Sequence, residues 1–251
     1  MKIATFNIWN SERGMPYREQ QIINEITKIN SDIICLQEVT QKAFIKLENE
    51  LSVYEHSYYH NFNNEYEGLA VFSKFPIILK NDINCAVLVT FEYKDNIFLA
   101  ANVHLPWDSI IKKEKYILDI VKEIDKIECD YTFLMGDFNC SDNSSVHYFL
   151  TGEMSLHGSE AKPIFEDMAQ VYSQLSNTIP ENTLDLINNP RWKGKNTASQ
   201  SERFDRIYLR DAFPKPFPAL NSFCLFGKEI DKHSAYCSSD HYGVLTEILF
   251  D

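Results

Sequence analysis

The sequence predicts a layered α/β protein. Short apolar runs with strand character recur along the 251 residues, and most end on a polar motif. Between them lie segments whose isoleucines recur at helical spacing. The polar motifs run from Asn7 to His241, so both ends of the chain must converge on one site. With no repeat, low-complexity tract or Gly/Ser linker in view, a single domain over residues 1–251 is expected.

Residues 2–8 read as a strand. Tyr17 to Asn30 reads as a helix with Ile22, Ile26 and Ile29 on one face and Ile23 beside them. A strand follows at 32–38, a short helix at about 40–51 and a strand at 53–59. Asn61-Phe62-Asn63-Asn64 is a turn signal. Gly68–Phe72 and Pro76–Leu79 read as short strands, and residues 83–93 and 96–104 as a hairpin around Lys94-Asp95-Asn96. Asp108 opens a second long helix with Ile117, Ile120, Val121, Ile124 and Ile127 as its buried stripe. Residues 131–136 return to strand. Segment 140–200 carries scattered Gly and Pro, yet a 60-residue structureless loop is implausible in a compact domain. A helix at 163–175 is expected there, with Pro163 in its first turn and Ile164, Met168, Val171 and Leu175 facing inward. Strands resume at 203–209, 221–226 and 242–250.

The apolar share of 44% suffices for a real core, and no run of about 18 apolar residues suggests a membrane span. The N-terminus enters a strand pattern without the apolar segment of a secretory signal, so a cytoplasmic product is expected. Cys35, Cys85, Cys129, Cys140, Cys224 and Cys237 form no C-x-x-C pair and read as reduced thiols. A net charge of −12 argues against an enzyme that tracks duplex DNA through a basic face. A bound cation could still present local positive charge to a polyanion.

The motifs are Thr5-Phe6-Asn7, Leu36-Gln37-Glu38, Asn102-Val103-His104, Gly136-Asp137-Phe138-Asn139 and Ser239-Asp240-His241, with Arg203-Phe204-Asp205-Arg206-Ile207 inside a strand-like run. Polar groups just past buried strands are expensive to desolvate without partners, and strand ends of layered α/β proteins collect ligand sites. Several such ends pooling Glu, Asp, Asn and His suit a divalent metal and a phosphoester. Glu38 is the first choice of ligand. Asp137 and Asn139, at i and i+2, would point the same way in an extended segment, one to hold or deprotonate water and the other to donate to phosphate; the alternative is an Asx turn closing the strand. Asp240 and His241 should diverge, one toward metal or solvent and the other toward phosphate. Asp205 is the carboxylate candidate for His241, unless it pairs with Arg203 or Arg206. His104 could stabilise a leaving oxygen. His56, His60, His147, His157 and His233 read as structural or surface residues. Trp107, Trp192 and Tyr66 are candidate stacking platforms.

Taken as an ordered set, T-F-N-I-W, L-Q-E-V, E-G-L-A-V-F-S-K-F-P-I, N-V-H-L, G-D-F-N, R-F-D-R-I-Y and S-D-H-Y-G-V-L resemble the endonuclease/exonuclease/phosphatase superfamily, with its deoxyribonuclease-I-like fold. The resemblance covers nearly the whole chain. It implies a four-layer sandwich of two mixed β-sheets flanked by helices, and Mg²⁺-dependent phosphoester hydrolysis with Mn²⁺ as a substitute. Matched by position, Asn7, Glu38 and Asp240 fall on the metal side, Asp137 and Asn139 on the water- and phosphate-handling pair, Asp205 and His241 on an acid–histidine dyad, and His104 on a further site histidine. Abasic-site nucleases and tyrosyl-DNA phosphodiesterases of the superfamily typically read W-N-(I/V)-D-G where this chain has Phe6-Asn7-Ile8-Trp9-Asn10, so Trp9 stands in place of an acid. The Arg203–Arg210 segment, the long stretch before it and Ser239–Gly243 resemble the tyrosyl-DNA phosphodiesterase branch. The expectation is a monomeric phosphodiesterase acting on nucleic acid or protein–DNA linkages; no protein partner is inferred. The alternatives are a phosphatase or phospholipase-type hydrolase acting on small phosphoesters or lipid headgroups, and a non-catalytic binding module that keeps the fold.

Overall fold

The computed structural model describes residues 1–62, 66–194 and 199–250; Asn63 and Asn64 of the expected turn lie outside the described residues. The first half of the chain forms β1 (Lys2–Asn7), α1 (Tyr17–Ile29), β2 (Ile33–Val39), α2 (Gln41–Glu50), β3 (His56–His60) and β4 (Gly68–Ser73). Next come β5 (Leu79–Ile83), β6 (Ala86–Tyr93), β7 (Asn96–His104), α3 (Ile110–Ile124), β8 (Tyr131–Asp137) and α4 (Ser145–Leu150). The chain closes with β9 (Phe165–Asp167), α5 (Met168–Ser176), β10 (Asp205–Arg210), β11 (Ala219–Phe226) and β12 (Gly243–Leu249).

Two six-stranded sheets result, ordered β11-β12-β1-β2-β4-β3 and β5-β6-β7-β8-β10-β9. Each is built around one parallel pair, β1–β2 or β7–β8, joined by a crossover helix, α1 or α3, and flanked by antiparallel neighbours. Parallel strands need such a crossover, and the helix covers the outer face of the sheet. Ile22, Ile23, Ile26 and Ile29 of α1 pack with Leu47 of α2 on Ala4, Phe6, Ile34 and Leu36 of the first sheet. Ile117, Ile120, Val121 and Ile124 of α3 pack with Phe149 of α4 on Leu99, Ala101 and Leu134 of the second. The inner faces meet through Ile3, Ile33, Val71, Val89, Phe98, Phe133 and Ile207. The layers are therefore helix, sheet, sheet, helix, the sandwich that the family resemblance implies.

The strands β1 and β2, the hairpin β6–β7 and the stripe of α3 as far as Ile124 lie where periodicity puts them; Ile127 falls beyond the end of the helix and is half-buried. Lys94 and Asp95 both take positive φ, 50° and 60°, as a two-residue hairpin turn matched to strand twist requires. Three expectations are corrected. Pro76–Leu79 is not the strand; β5 begins at Leu79, because Pro76 has no N–H for a ladder and Phe75 and Ile77 turn into the core between the sheets. The helix expected at 163–175 starts only at Met168. Phe165–Asp167 instead pairs with β10 as an edge strand, Asp167 caps the helix by accepting the Ala169 N–H (3.0 Å), and Leu175 faces solvent. The helix expected from Asp108 begins at Ile110 behind Ser109, whose hydroxyl accepts the Lys112 N–H, leaving Ile110 and Ile111 exposed. The short helix α4 escaped notice because six residues carry too little periodicity.

Candidate active site

Because β1–β2 and β7–β8 are parallel pairs and β4, β10 and β12 run antiparallel beside them, one rim of the sandwich gathers the ends of the former and the starts of the latter. Asn7 closes β1, His104 closes β7 and Asp137 closes β8, while Asp205 opens β10 and His241 lies just ahead of β12. Asp137 sits in register with both His104 and Asp205. This is the strand-end location where layered α/β proteins place ligands.

Asp137 is the hub. Its Oδ2 accepts the Asn7 amide N–H from the opposite sheet at 2.9 Å, with His104 Nε2 at 3.6 Å and His241 Nδ1 at 3.9 Å. Its Oδ1 accepts the Asn139 backbone N–H at 2.8 Å, so the Asx turn forms. Asn139 takes a left-handed φ of 49°, which removes the extended geometry assumed for the pair. Its Nδ2 donates to Leu105 O (3.0 Å). His241 Nδ1 bonds Asp205 Oδ2 at 2.8 Å, so the acid–histidine dyad is present. Arg203 and Arg206 do not compete for Asp205; they pair with Asp167 and Asp142. Thr183 Oγ1 accepts the backbone N–H groups of Phe204 and Asp205, fixing the start of β10.

Glu38 stands across the cleft. The β2–β4 register shifts between Leu36 and Val39, and Glu38 occupies left-handed space (φ 57°), which turns its carboxylate out of the ladder. That carboxylate accepts Asn7 Nδ2 at 2.9 Å and the Asn10 backbone N–H at 2.8 Å. Asn7 therefore presents its nitrogen to Glu38 and Asp137, while its Oδ1 accepts the Trp9 N–H (3.0 Å). Asp240 is buried, and its Oδ1 has no hydrogen-bond partner among the described residues. Burial, with Glu38 adding repulsion, pushes its carboxyl up to about 6. For His241, burial opposes the charged imidazolium, but Asp205 first and Asp137 next outweigh it and raise the imidazole well above its usual range.

Among the described residues, the one group of three acidic or imidazole side chains with ligand atoms within 4.8 Å of one another is Asp137, Asp205 and His241. In that group the Asp205 and Asp137 carboxylates favour the imidazolium form of His241, which has no lone pair to offer a cation. A hard cation fits the other wall better, where Glu38 and the unpartnered Asp240 Oδ1 offer oxygen. Trp192 Nε1 donates to Asp240 O at 3.3 Å, placing its indole at the site. Trp107 is 79% exposed and lies just beyond His104 in sequence. Tyr66 lines a crevice of about 150 Å³ beside Glu38, together with Ile8, Ile22 and Leu47. His147 is a structural histidine, bonded through Nδ1 to Tyr208 Oη at 2.7 Å.

Sequence reasoning assigned no role to several supports. Gln37 Nε2 donates to Thr5 Oγ1 (2.9 Å) and Asn102 Oδ1 (2.7 Å), and Asn102 Nδ2 to Leu36 O and Ala70 O, a buried polar bridge between the sheets beneath the site. Ser239 Oγ donates to Asn7 O (2.7 Å), and Lys113 Nζ donates to Asn139 O. Gln37, Asn102 and Ser239 stand inside the motifs, so their neighbours were the available signal; Lys113 had none.

Residues 4–241 match the model of the Endonuclease/Exonuclease/phosphatase family, and the chain belongs to that family. Among particular proteins it is similar to a probable CCR4-Not complex 3′-5′-exoribonuclease subunit Ccr4 from Vairimorpha ceranae (strain BRL01), with 28% identity in an alignment of length 183 that covers 54% of this chain and 38% of that relative. Two crystal structures share the fold closely: truncated Caenorhabditis elegans TDP2 (20% identity, TM-score 0.77, 99% of this chain and 97% of that one) and D. rerio TDP2 complexed with single strand DNA product (17%, 0.79, 100% and 99%). So does a functionally unknown conserved protein from Enterococcus faecalis V583 (20%, 0.74, full coverage of both chains).

Proposed function

We propose that this chain is a divalent-metal-dependent phosphodiesterase acting on nucleic acid or protein–DNA linkages, working as one domain. The observation that carries the reading is the convergence on Asp137 Oδ2 of Asn7 from one sheet and of His104 and His241 from two further segments, with the Glu38 carboxylate on the same Asn7 amide. Membership of a family that includes nucleases, and likeness to a probable exoribonuclease and to a TDP2 holding single-stranded DNA, favour a nucleic-acid substrate.

Glu38 and Asp240 would hold Mg²⁺, or Mn²⁺ in its place, with Asn7 joining them if its amide turned. The cation would polarise a phosphoryl oxygen and offset transition-state charge. Asp137, with Oδ1 committed to the Asn139 N–H, uses Oδ2 to orient and deprotonate the attacking water. The Asn139 amide has a second N–H for a phosphoryl oxygen. Asp205 engages His241 at Nδ1, which leaves Nε2–H to stabilise the phosphoryl charge. His104 would donate to the leaving oxygen. Trp192 and Trp107 supply surfaces on which a base can stack. The free thiols of Cys35, Cys129, Cys140, Cys224 and Cys237 favour a reducing, cytoplasmic setting.

The test is a substrate panel with and without EDTA: abasic duplex, 5′-phosphotyrosyl oligonucleotide, single-stranded DNA, RNA, sphingomyelin and inositol phosphates. Turnover of one of the nucleic-acid substrates, abolished by EDTA and restored by Mg²⁺, is expected. Turnover confined to sphingomyelin or inositol phosphates would replace the nucleic-acid assignment, and binding without turnover at any metal concentration would make the chain a binding module.

A further inference from the structure

All five N–H groups of the Arg18 guanidinium are taken by backbone carbonyls. Nε donates to Arg13 O (2.9 Å), Nη1 to Ile8 O (2.9 Å) and Ser238 O (3.1 Å), and Nη2 to Trp9 O (2.9 Å) and Ser11 O. The residue is fully buried, and its guanidinium carbon stands 4.6 Å from the centre of the Trp9 ring. Among the described residues no carboxylate forms a salt bridge with it. Burial lowers its pKa to about 10 against the pull of Asp240 and Glu38, so it stays charged at neutral pH.

The carbonyls belong to two segments far apart in sequence. Ile8, Trp9, Ser11 and Arg13 form the loop after β1, in which the Asn10 N–H holds Glu38. Ser238 precedes Ser239, which bonds Asn7 O, and then Asp240 and His241. One side chain thus grips at once the loop whose Asn10 N–H holds Glu38 of β2 and the segment that carries Asp240. A shift of about 1 Å in such a constellation can lower a rate by about two orders of magnitude, and Arg18 joins both segments through one rigid, planar group, whereas other bonds on residues 238–240 run to Asn7, Asn189, Trp192 and Gly227 singly.

We propose that Arg18 is a positioning residue that welds the loop after β1 to the segment before β12, so that Glu38 and Asp240 face one cation and His241 faces the same phosphoryl group. The role rests on the hydrolase reading above, although Arg18 itself touches neither metal nor substrate. Lysine has at most three donors where arginine has five, so Arg18→Lys keeps the charge and loses the weld.

Amide hydrogen exchange on the metal-free protein is the first measurement. Arg18→Lys is expected to raise exchange in residues 8–13 and 238–241 together while β1 and β12 stay protected; exchange raised in only one of these segments, or in neither, would overturn the proposal. Turnover of bis-p-nitrophenyl phosphate is the second. Arg18→Lys is expected to lower kcat by about 50-fold with KM within about threefold, the split expected when positioning rather than uniform binding is lost. For Arg18→Ala, ethylguanidinium should restore rate at least about tenfold where ethylammonium at equal ionic strength does not, since only the former reproduces a planar fork of donors. A kcat within about threefold of wild type in Arg18→Lys, or equal rescue by both cations, would also overturn it. A wild-type protein without turnover would remove the hydrolase reading, and the exchange pattern would then decide the weld alone.

Discussion

Asp137 Oδ2 receives Asn7 at 2.9 Å and lies 3.6 and 3.9 Å from His104 and His241, so any one of these side chains acts through its neighbours. Two substitutions should separate chemistry from support. Glu38→Ala and His241→Ala are each expected to lower turnover by about a thousandfold or more, the scale of losing a transition-state stabiliser. Their stabilities should differ. Glu38 is half-buried, and its loss should move the thermal midpoint little. His241→Ala leaves the buried Asp205 carboxylate without its 2.8 Å partner and should destabilise by about 2–4 kcal/mol. Near-wild-type turnover in both variants would remove the assigned roles. His147 sits outside this chemistry and offers a pH test. Burial first, and Arg206 next, lower its pKa to about 4, while the unfolded imidazole titrates near 6.5. The folded state therefore keeps His147 neutral where the unfolded state takes up a proton. Its contribution to stability is fully present above about pH 6.5 and falls away as pH drops toward 4. His147→Asn, whose oxygen can still accept from Tyr208, should flatten the fall in unfolding free energy between pH 6.5 and 4.5 relative to wild type. Parallel profiles for the two proteins in urea titrations would refute this.

Among the elements, β8 carries the most constraint. Gly136 has φ 141°, and a Cβ there would stand 1.9 Å from the Val103 carbonyl oxygen, so β7 and β8 approach in a way that only glycine permits just before Asp137. Behind the turn that follows β8, Arg206 on β10 donates to Cys140 O, and with Arg203 it pairs with Asp167 at the end of β9. This network ties an edge strand, a helix cap and the Asp137–Asn139 turn together. Asp167→Ala removes the fully buried carboxylate from two guanidinium groups and is expected to lower unfolding free energy by about 3–5 kcal/mol, as loss of one partner from a buried ion pair does. A loss under about 1 kcal/mol by chemical denaturation would show that Asp142 suffices for both arginines.

Across the whole molecule, the two sheets bring acidic groups together in a chain that carries −12 overall. A cation bound to the folded state relieves that repulsion and stabilises by mass action, by about 2.7 kcal/mol at a hundred times its dissociation constant. The thermal midpoint of the wild type should rise with Mg²⁺ concentration and that of Glu38→Ala should not; an equal rise in both would place the cation elsewhere. The double-sheet plan also explains why the site needs the full span of the chain. Asn7 and Glu38 come from one sheet and His104, Asp137 and Asp205 from the other, and the Gln37–Asn102 bridge locks the sheets together directly beneath them.

By itself the sequence determined the strands that end in polar groups, the two crossover helices, the family and the residues gathered at the rim, because hydrophobic periodicity and strand-end polarity are local signals. The pairing of Asp205 with His241 was legible as one of two options. Only the tertiary structure decided it, by giving Arg203 and Arg206 a different acid, Asp167, on an edge strand that no local pattern marks. It likewise turned Asn7 nitrogen-first toward Glu38 and Asp137, bent Asn139 out of an extended path, and drew five carbonyls from two distant loops onto Arg18. Each of these depends on how buried polar groups find partners across large sequence separations, and that choice is settled by packing rather than by neighbours in the chain.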